Sequence, residues 1–198
     1  MLMRSRARRL LFVAAIAGIA AVAAVATPVA RAHGCPPTGR ASTPFTSWGD
    51  DSTYLPMLWG GRGSQRNNWS VAGGAGFVTG NDPYSVDGSN ALYLPPGSSS
   101  TSSDTCNRLL VPVVRFFVQN AGSDGGLLHV ELIVNDGRGG VIDGGTISAS
   151  DGWDASPQIV MPTPDTHGSV AYAVRLTPVG DGAAFLVDDV YIDPYLSR

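Results

Sequence analysis

The sequence has no lysine and only one glutamate, Glu131, among its 198 residues. All other acidic side chains are aspartates, and all basic side chains are arginines. We attribute the absence of lysine to a GC-rich genome and exclude no function on that ground. The single glutamate weakens the case for a glycosidase, because such an enzyme needs two carboxylates flanking the scissile bond. Most of the aspartates lie in turn sequences, where the side chain bonds its own backbone.

The N-terminus has the organisation of a secretory signal peptide. MLMRSRARRL carries four arginines, LLFVAAIAGIAAVAAVATPV is uncharged, and Ala30–Ala32 has the small–x–small pattern of a cleavage site. We therefore predict a signal peptide over residues 1–32 and one mature domain over residues 33–198. The mature protein is expected to be secreted and extracellular, with no membrane insertion after cleavage.

Three alternatives to this export route stay open. The apolar run is nearly long enough to remain as an uncleaved anchor, although alanine is only weakly hydrophobic. His33–Cys35 contains a cysteine that a lipid could modify, although histidine is awkward in a lipobox. Arg8–Arg9 followed by two leucines is a partial twin-arginine signal. An anchor or a lipid would hold the domain at the cell surface.

Positive charge is scarce in the predicted mature domain. Residues 33–198 carry sixteen acidic and eight basic side chains, a net charge of −8, against −3 for the full chain. An acidic domain of this kind is a poor partner for nucleic acid or for anionic membrane surfaces.

Cysteine is also rare, with Cys35 and Cys106 as its two occurrences. An even count in an exported chain predicts one disulfide. It would close a loop of about 70 residues, worth about 4 kcal/mol in the chain-entropy model. Two free catalytic thiols are the less favoured alternative, because neither a CxxC spacing nor a neighbouring histidine is present.

No segment after residue 32 shows a convincing helical pattern, and the pattern predicts an all-β domain. LLHVELIVND and SVAYAVRLTPV alternate between apolar and polar residues, as half-buried strands do. PPGSSSTSSDT, at 95–105, is predicted to be a flexible surface loop. About eight to ten antiparallel strands predict a two-sheet jelly-roll β-sandwich. The other strands are expected at 69–72, 75–79, 90–94, 111–119, 140–148, 157–161 and 184–193.

Four segments, in their order along the chain, resemble the galactose-binding-like jelly roll. They are NNWSVAGGAGFV, DGSNALYLP, VRFFVQNAGSDGGLLHVELIV and FLVDDVYIDPY. The resemblance covers about residues 45–195, and the closing DDV strand is its most specific part. Many carbohydrate-binding modules of secreted glycan-degrading enzymes share this fold, as do short exported bacterial proteins that carry the domain alone.

The resemblance implies sugar binding and a structural calcium near the last strand, where Asp188 and Asp189 stand. In the family an early acidic segment completes that site. The corresponding place here is GGRGSQRNNW, in which Gln65 or Asn67 replaces the acid. No other cofactor is predicted.

Asp188 and Asp189 interrupt an apolar strand. Strict alternation would place Val187 and Val190 on opposite faces, because they are an odd number of positions apart. A bulge at the two aspartates would bring both valines to the core and turn one carboxylate toward backbone amides or a cation. We therefore predict that Asp188 and Asp189 anchor the closing strand and do not form a catalytic pair.

Exposed aromatic rings are the candidates for sugar contact, because ring faces stack on the apolar faces of sugars. Trp59, Trp153 and Tyr84 are flanked by loop residues, and we predict them to be ligand-binding. Trp48, Trp69 and Tyr172 are expected in the core.

We predict a non-catalytic domain that binds carbohydrate, as a polysaccharide or an envelope glycan, or a cell-envelope surface. A structural or interaction protein of the envelope, with no sugar site, is the alternative. A hydrolase is less favoured, because no histidine has an evident partner serine. His129 and Glu131 share a strand face and are metal-ligand types, but a solvated face is the favoured interpretation.

Overall fold

The computed structural model describes residues 41–57, 69–84, 88–122, 125–135, 139–162 and 169–193, all within the unit Ala32–Arg198. They form one short 3₁₀ helix, Thr46–Trp48, and thirteen strands, which confirms the all-β class. The strands are β1 Leu55–Pro56, β2 Trp69–Ala72, β3 Gly76–Thr79, β4 Asn90–Leu94, β5 Ser99–Ser102, β6 Thr105–Asn107, β7 Val113–Asn120, β8 Leu127–Asn135, β9 Gly140–Ile147, β10 Asp154–Ala155, β11 Ile159–Val160, β12 Val170–Val179 and β13 Phe185–Asp193. This number exceeds the eight to ten expected, in part because β1, β10 and β11 have two residues each.

The strands form two antiparallel sheets, as the jelly-roll prediction requires. The seven-stranded sheet has the order β10-β7-β13-β4-β3, with β1 also paired to β13 and β11 to β7. The six-stranded sheet has the order β2-β5-β12-β8-β9, with β6 also paired to β12.

The main core lies between the two sheets. On β8 every second side chain is buried, as the alternation in LLHVELIVND predicts. These side chains share one apolar cluster with Phe116 of β7 and Tyr172 of β12, both fully buried. Because burial of apolar area is the dominant favourable contribution to folding, this cluster is the principal source of stability.

A second cluster lies on the outer face of the seven-stranded sheet. Phe117 of β7 points away from the main core, and Phe45 and Tyr54 pack with it. Both come from the segment 41–57, which therefore covers part of the sheet's outer face. This cover makes β7 buried on both faces along most of its length.

The serine-rich stretch 95–105 is not a flexible loop, and that prediction was wrong. It contains β5 and the first residue of β6. The buried Ser102 accepts the backbone N–H of Val174 at 3.0 Å, and the Ser100 hydroxyl donates to the carbonyl of Ser70 at 3.3 Å. Since hydrogen bonds satisfy the hydroxyls, the strand tolerates residues of weak β-propensity.

Several predictions about the N-terminal part stay predictions. The signal peptide 1–32 and Cys35 lie outside the described residues, so the disulfide is untested. Its expected partner, Cys106, is buried on β6 opposite Ala171 of β12. In the described segments, no helix has the length and apolar character that crossing a bilayer demands.

Candidate functional site

The closing strand β13 contains the predicted bulge. Its register against β7 shifts between Asp188 and Tyr191. Asp189 has φ 45°, in the left-handed region that L-residues rarely occupy. The extra residue brings Val187 and Val190 to the main core, where they are 1% and 2% exposed.

The bulge gathers three buried carboxylates, those of Asp82, Asp188 and Asp189, which we call the carboxylate cluster. One oxygen from each lies within 4.8 Å of the others. Asp188 accepts the backbone N–H of Asp189 at 2.9 Å and that of Asp82 at 3.3 Å. The prediction that one member of the pair accepts backbone N–H groups is therefore confirmed. Asp82 was missed, since NDPYSVDG carries only the signal of a turn.

The carboxylate cluster presents oxygens that could hold a cation. Burial, followed by the negative charges of Asp189 and Asp82, raises the pKa of Asp188 to about 7. Carboxylate oxygens are hard donors of the kind that calcium prefers. The donor set therefore fits the calcium that the sequence resemblance implies. Gln65 and Asn67, the other positions in that expectation, lie outside the described residues.

Three aromatic residues, Trp48, Tyr84 and Trp153, meet beside the carboxylate cluster, and we call them the aromatic patch. The ring centroids of Trp48 and Tyr84 are 4.7 Å apart at an interplanar angle of 87°. The Tyr84 hydroxyl donates to the carbonyl of Trp153 at 3.2 Å. The ring of Phe117 packs against the patch, and its centroid lies 5.3 Å from the ring centroids of both Trp48 and Tyr84. Tyr84 is the most open member, with 49% of its surface exposed.

The structure thus brings together two of the three predicted ligand-binding residues, Tyr84 and Trp153. Trp59 lies outside the described residues. Trp69 and Tyr172 are in the main core as expected, but Trp48 is not. It is half-buried, packs on the outer-face cluster, and donates its indole N–H to Asp154 at 2.7 Å. No sequence signal separated Trp48 from the core tryptophans, because its partners are distant in the chain.

A buried ion pair joins the segment 41–57 to β7. Arg115 of β7 donates to Asp50 at 2.6 Å and, through two other nitrogens, to the carbonyl of Ser156 at 2.9 and 2.8 Å. The hydroxyl of Tyr54 and the amide of Gln158 donate to the same Asp50 oxygen, at 2.7 and 3.0 Å. Arg115 and Asp50 are 6% and 8% exposed.

The hydrogen bonds to Asp50 determine its ionisation. Burial alone would raise its pKa, but the bonds from its neighbours, led by that of Gln158, outweigh burial. They hold the pKa of Asp50 well below its usual value. Asp50 therefore stays charged and neutralises Arg115.

A polar groove opens above this ion pair. It is a shallow, open depression of about 490 Å³, lined by Gly49, Asp50, Asp51, Ser52, Thr53 and Gln158. Gly49 directly follows Trp48, so the groove adjoins the aromatic patch.

Comparisons with known proteins bear on the fold. No protein-family model matches the sequence, and no curated protein matches it. The N-terminal CBM22-1–GH10 modules of Clostridium thermocellum xylanase 10B, complexed with xylohexaose, superpose with a TM-score of 0.50 at 12% identity, over 73% of this chain and 28% of that one. The CBM22-1 xylan-binding domain of Paenibacillus barcinonensis Xyn10C gives 0.47 at 15% identity, over 72% and 94%. TmCBM61 in complex with β-1,4-galactotriose gives 0.40 at 17% identity, over 65% and 90%.

The chain has the jelly-roll fold of carbohydrate-binding modules. At identities this low the likeness shows the fold alone, so any binding must be argued from this chain's own residues. In the xylanase the similar module is joined to a GH10 module.

The outer face of the six-stranded sheet of this module-like fold holds an ion-pair row. Arg175 donates two hydrogen bonds to Glu131, at 2.7 and 2.8 Å, and His129 contacts Asp143 at 2.9 Å. The hydrogen bond from Arg175 is the main cause that lowers the pKa of Glu131. A catalytic acid needs a raised pKa, and a metal ligand needs free oxygens. The row therefore favours the interpretation of a solvated strand face.

Proposed function

We propose that this protein is a non-catalytic domain that binds carbohydrate through the aromatic patch. The observation that carries the proposal is the half-exposed side chain of Tyr84. Its ring packs against Trp48, and its hydroxyl donates a hydrogen bond to the backbone carbonyl of Trp153. Aromatic rings stack on the apolar faces of sugars, and nearby polar groups bind the hydroxyls.

The patch is ordered by contacts within the protein. The Tyr84 ring packs on Trp48 and Phe117, and Trp48 is fixed to Asp154 through its indole N–H. Since these rings are held before a ligand arrives, binding loses little side-chain entropy. The exposed carboxylate of Asp154 also places an acceptor at the edge of the patch.

The place of action that we propose is outside the cell. The predicted signal peptide and disulfide agree with an exported protein. An extracellular polysaccharide or an envelope glycan is the ligand class that fits this location and the acidic mature domain.

We also propose that the carboxylate cluster holds a structural calcium ion. Asp82, Asp188 and Asp189 would bind it, because one oxygen from each lies within 4.8 Å of the others and carboxylate oxygens are hard donors. Such an ion would fix the bulge of β13 to the loop that carries Tyr84.

One observation favours the second candidate, a structural or interaction protein of the envelope without a sugar site. Trp48 and Trp153 are half-buried and pack against the outer-face cluster. The patch therefore also seals the seven-stranded sheet, a role that needs no ligand.

Affinity gel electrophoresis separates the two candidates. The mature domain is run through gels containing xylan, β-1,4-galactan or a mixed-linkage glucan, and we expect retardation by at least one of them. Tyr84→Ala should lose the retardation, while Val141→Ala, at an exposed position on β9, should keep it. Unretarded wild-type protein in a full set of glycan gels, or a Tyr84→Ala variant that is retarded like the wild type, would reject the proposed site. Turnover of chromogenic glycosides, abolished by an Asp or Glu substitution, would establish the hydrolase instead.

A further inference from the structure

We infer that the polar groove beside the aromatic patch binds the sugar residues next to the one stacked on Tyr84, so that the ligand is an uncharged glycan chain of several residues. This inference rests on the proposed function and extends it to the ligand's length and charge. Nothing in the fold likeness assigns this groove.

The first argument is position and size. The groove starts at Gly49, one residue beyond Trp48 of the patch, and has a volume of about 490 Å³. Ligand sites in proteins typically have volumes of about 300–1,000 Å³. A chain that stacks one ring on the patch therefore has room for further residues along the same surface.

The second argument is chemistry. The groove presents the carboxylate of Asp51, the hydroxyls of Ser52 and Thr53, and the amide of Gln158. These groups accept and donate hydrogen bonds, as the hydroxyls of a sugar do. The aromatic patch supplies stacking and the groove supplies hydrogen bonds, so the two surfaces are complementary parts of one site.

The third argument is charge. Asp51 places an exposed negative charge on the groove wall, whereas the charges of Asp50 and Arg115 below it offset each other. Residues 33–198 also carry a net charge of −8. Like charges repel across a binding surface, so a polyuronate or a sulfated glycan is disfavoured and a neutral chain is favoured.

The fourth argument is pre-organisation. The backbone N–H of Ser52 donates to the Asp50 carboxylate at 3.1 Å, and the N–H of Asp50 donates to the carbonyl of Phe45 at 3.3 Å. The amide of Gln158 is fixed by the same carboxylate. The buried ion pair thus holds both walls of the groove, and a rigid wall lowers the entropic cost of binding.

The test is the dependence of affinity on chain length, measured by isothermal titration of the mature domain with xylo-, β-1,4-galacto- and cello-oligosaccharides from disaccharide to hexasaccharide. Each net hydrogen bond contributes a factor of about three to ten in affinity. We therefore expect the hexasaccharide of the bound series to bind at least about tenfold more tightly than the disaccharide.

Variants assign that gain to the groove. Asp51→Ala combined with Thr53→Ala removes two exposed groove side chains and should reduce the ratio of hexasaccharide to disaccharide affinity to about threefold or less. Asp143→Ala combined with Thr146→Ala makes the same changes on the outer face of the six-stranded sheet and should leave the ratio unchanged. Polygalacturonate serves as the charged probe and should not bind.

The outcomes distinguish this inference from the proposed function. If no series and no polysaccharide binds the wild type, the proposed function fails. If the wild type binds but its affinity does not rise with chain length, the groove is not used. An undiminished ratio in the Asp51/Thr53 variant, or tighter binding of polygalacturonate than of neutral chains, would overturn the inference while the patch remains a binding site.

Discussion

The backbone N–H of Tyr84 donates a hydrogen bond to the buried carboxylate of Asp82 at 2.8 Å. Asp82 is 1% exposed and Tyr84 is 49% exposed. The same Asp82 donates its own N–H to Asp188 in the bulge of β13. The most exposed ring of the aromatic patch is therefore tethered, through two hydrogen bonds, to the closing strand of the sandwich.

This tether predicts a role for Asp82 in ligand binding. Asp82→Ala removes the acceptor for the Tyr84 N–H, so we expect glycan affinity to fall by about threefold to tenfold, the effect of one hydrogen bond. Asp82→Asn keeps an acceptor oxygen and should bind within about twofold of the wild type. Titration with the glycan that retards the wild type measures both. Asp104→Ala, in the link between β5 and β6 of the other sheet, is the control.

Thermal unfolding separates positioning from a general loss of fold. Asp82→Ala should remain cooperatively folded at the temperature of the binding assay. Wild-type affinity in this variant would remove the tether from the binding mechanism. Equal losses in Asp82→Ala and Asp82→Asn would show that the charge matters and that the acceptor does not.

The carboxylate cluster predicts stabilisation by calcium. A ligand that binds only the folded state, at a free concentration of about a hundred times its dissociation constant, raises the free energy of unfolding by about 2.7 kcal/mol. We therefore expect calcium to raise the Tm and EDTA to lower it, and Asp188→Asn to lose most of this response. Asp143→Asn, an exposed aspartate on β9, should respond like the wild type.

The wild type and Asp188→Asn can also be compared in EDTA. Burial and two neighbouring carboxylates raise the pKa of Asp188 to about 7, so its charged form is disfavoured in the folded state. Without a cation, Asp188→Asn should be at least as stable as the wild type. A marked loss of stability in EDTA, or a full calcium response in this variant, would contradict the assignment.

Which features the sequence predicts depends on how local their causes are. The burial pattern of β8 follows from alternation, and the bulge follows from the odd spacing of Val187 and Val190 around two aspartates. Both causes lie within a few residues of their effect. Fold class and the strands with strong alternation were therefore predictable.

The missing parts of the site depend on distant partners. Asp82 meets Asp188 across 106 residues, and Arg115 meets Asp50 across 65. Such pairs depend on the strand order of the sheets and on how the segment 41–57 lies on them, which no single-sequence pattern encodes. The loop prediction for residues 95–105 failed for the same reason, because the hydrogen-bond partners of the β5 serines are backbone groups of β2 and β12.

The buried ion pair predicts a large cost for removing one partner. Asp50→Ala leaves the Arg115 guanidinium buried without its carboxylate, so we expect a loss of about 3–5 kcal/mol in the free energy of unfolding. Urea denaturation at neutral pH measures it. Asp151→Ala, at an exposed position, should cost less than about 0.5 kcal/mol. A cost that small for Asp50→Ala would contradict a stabilising role of the pair.

Asp50 also predicts a pH dependence. Its pKa in the folded protein lies below the usual 3.8, so its contribution to stability is complete above that value and is lost as the pH falls through the acid range. The free energy of unfolding should therefore decrease as the pH is lowered from about 5 to about 2. In Asp50→Asn the decrease should be shallower, and equal slopes would show that other carboxylates account for it.

The left-handed backbone of Asp189 predicts a difference in stability between two substitutions. Its φ of 45° costs a β-branched residue about 1–2 kcal/mol but costs glycine little. The comparison is made in EDTA, where no divalent cation binds the cluster, and Asp189→Gly should adopt this backbone conformation without strain. Asp189→Val removes the same charge but should be less stable than Asp189→Gly by about 1–2 kcal/mol. Urea denaturation of both variants measures the difference, and equal stabilities would mean that the bulge does not depend on this backbone conformation.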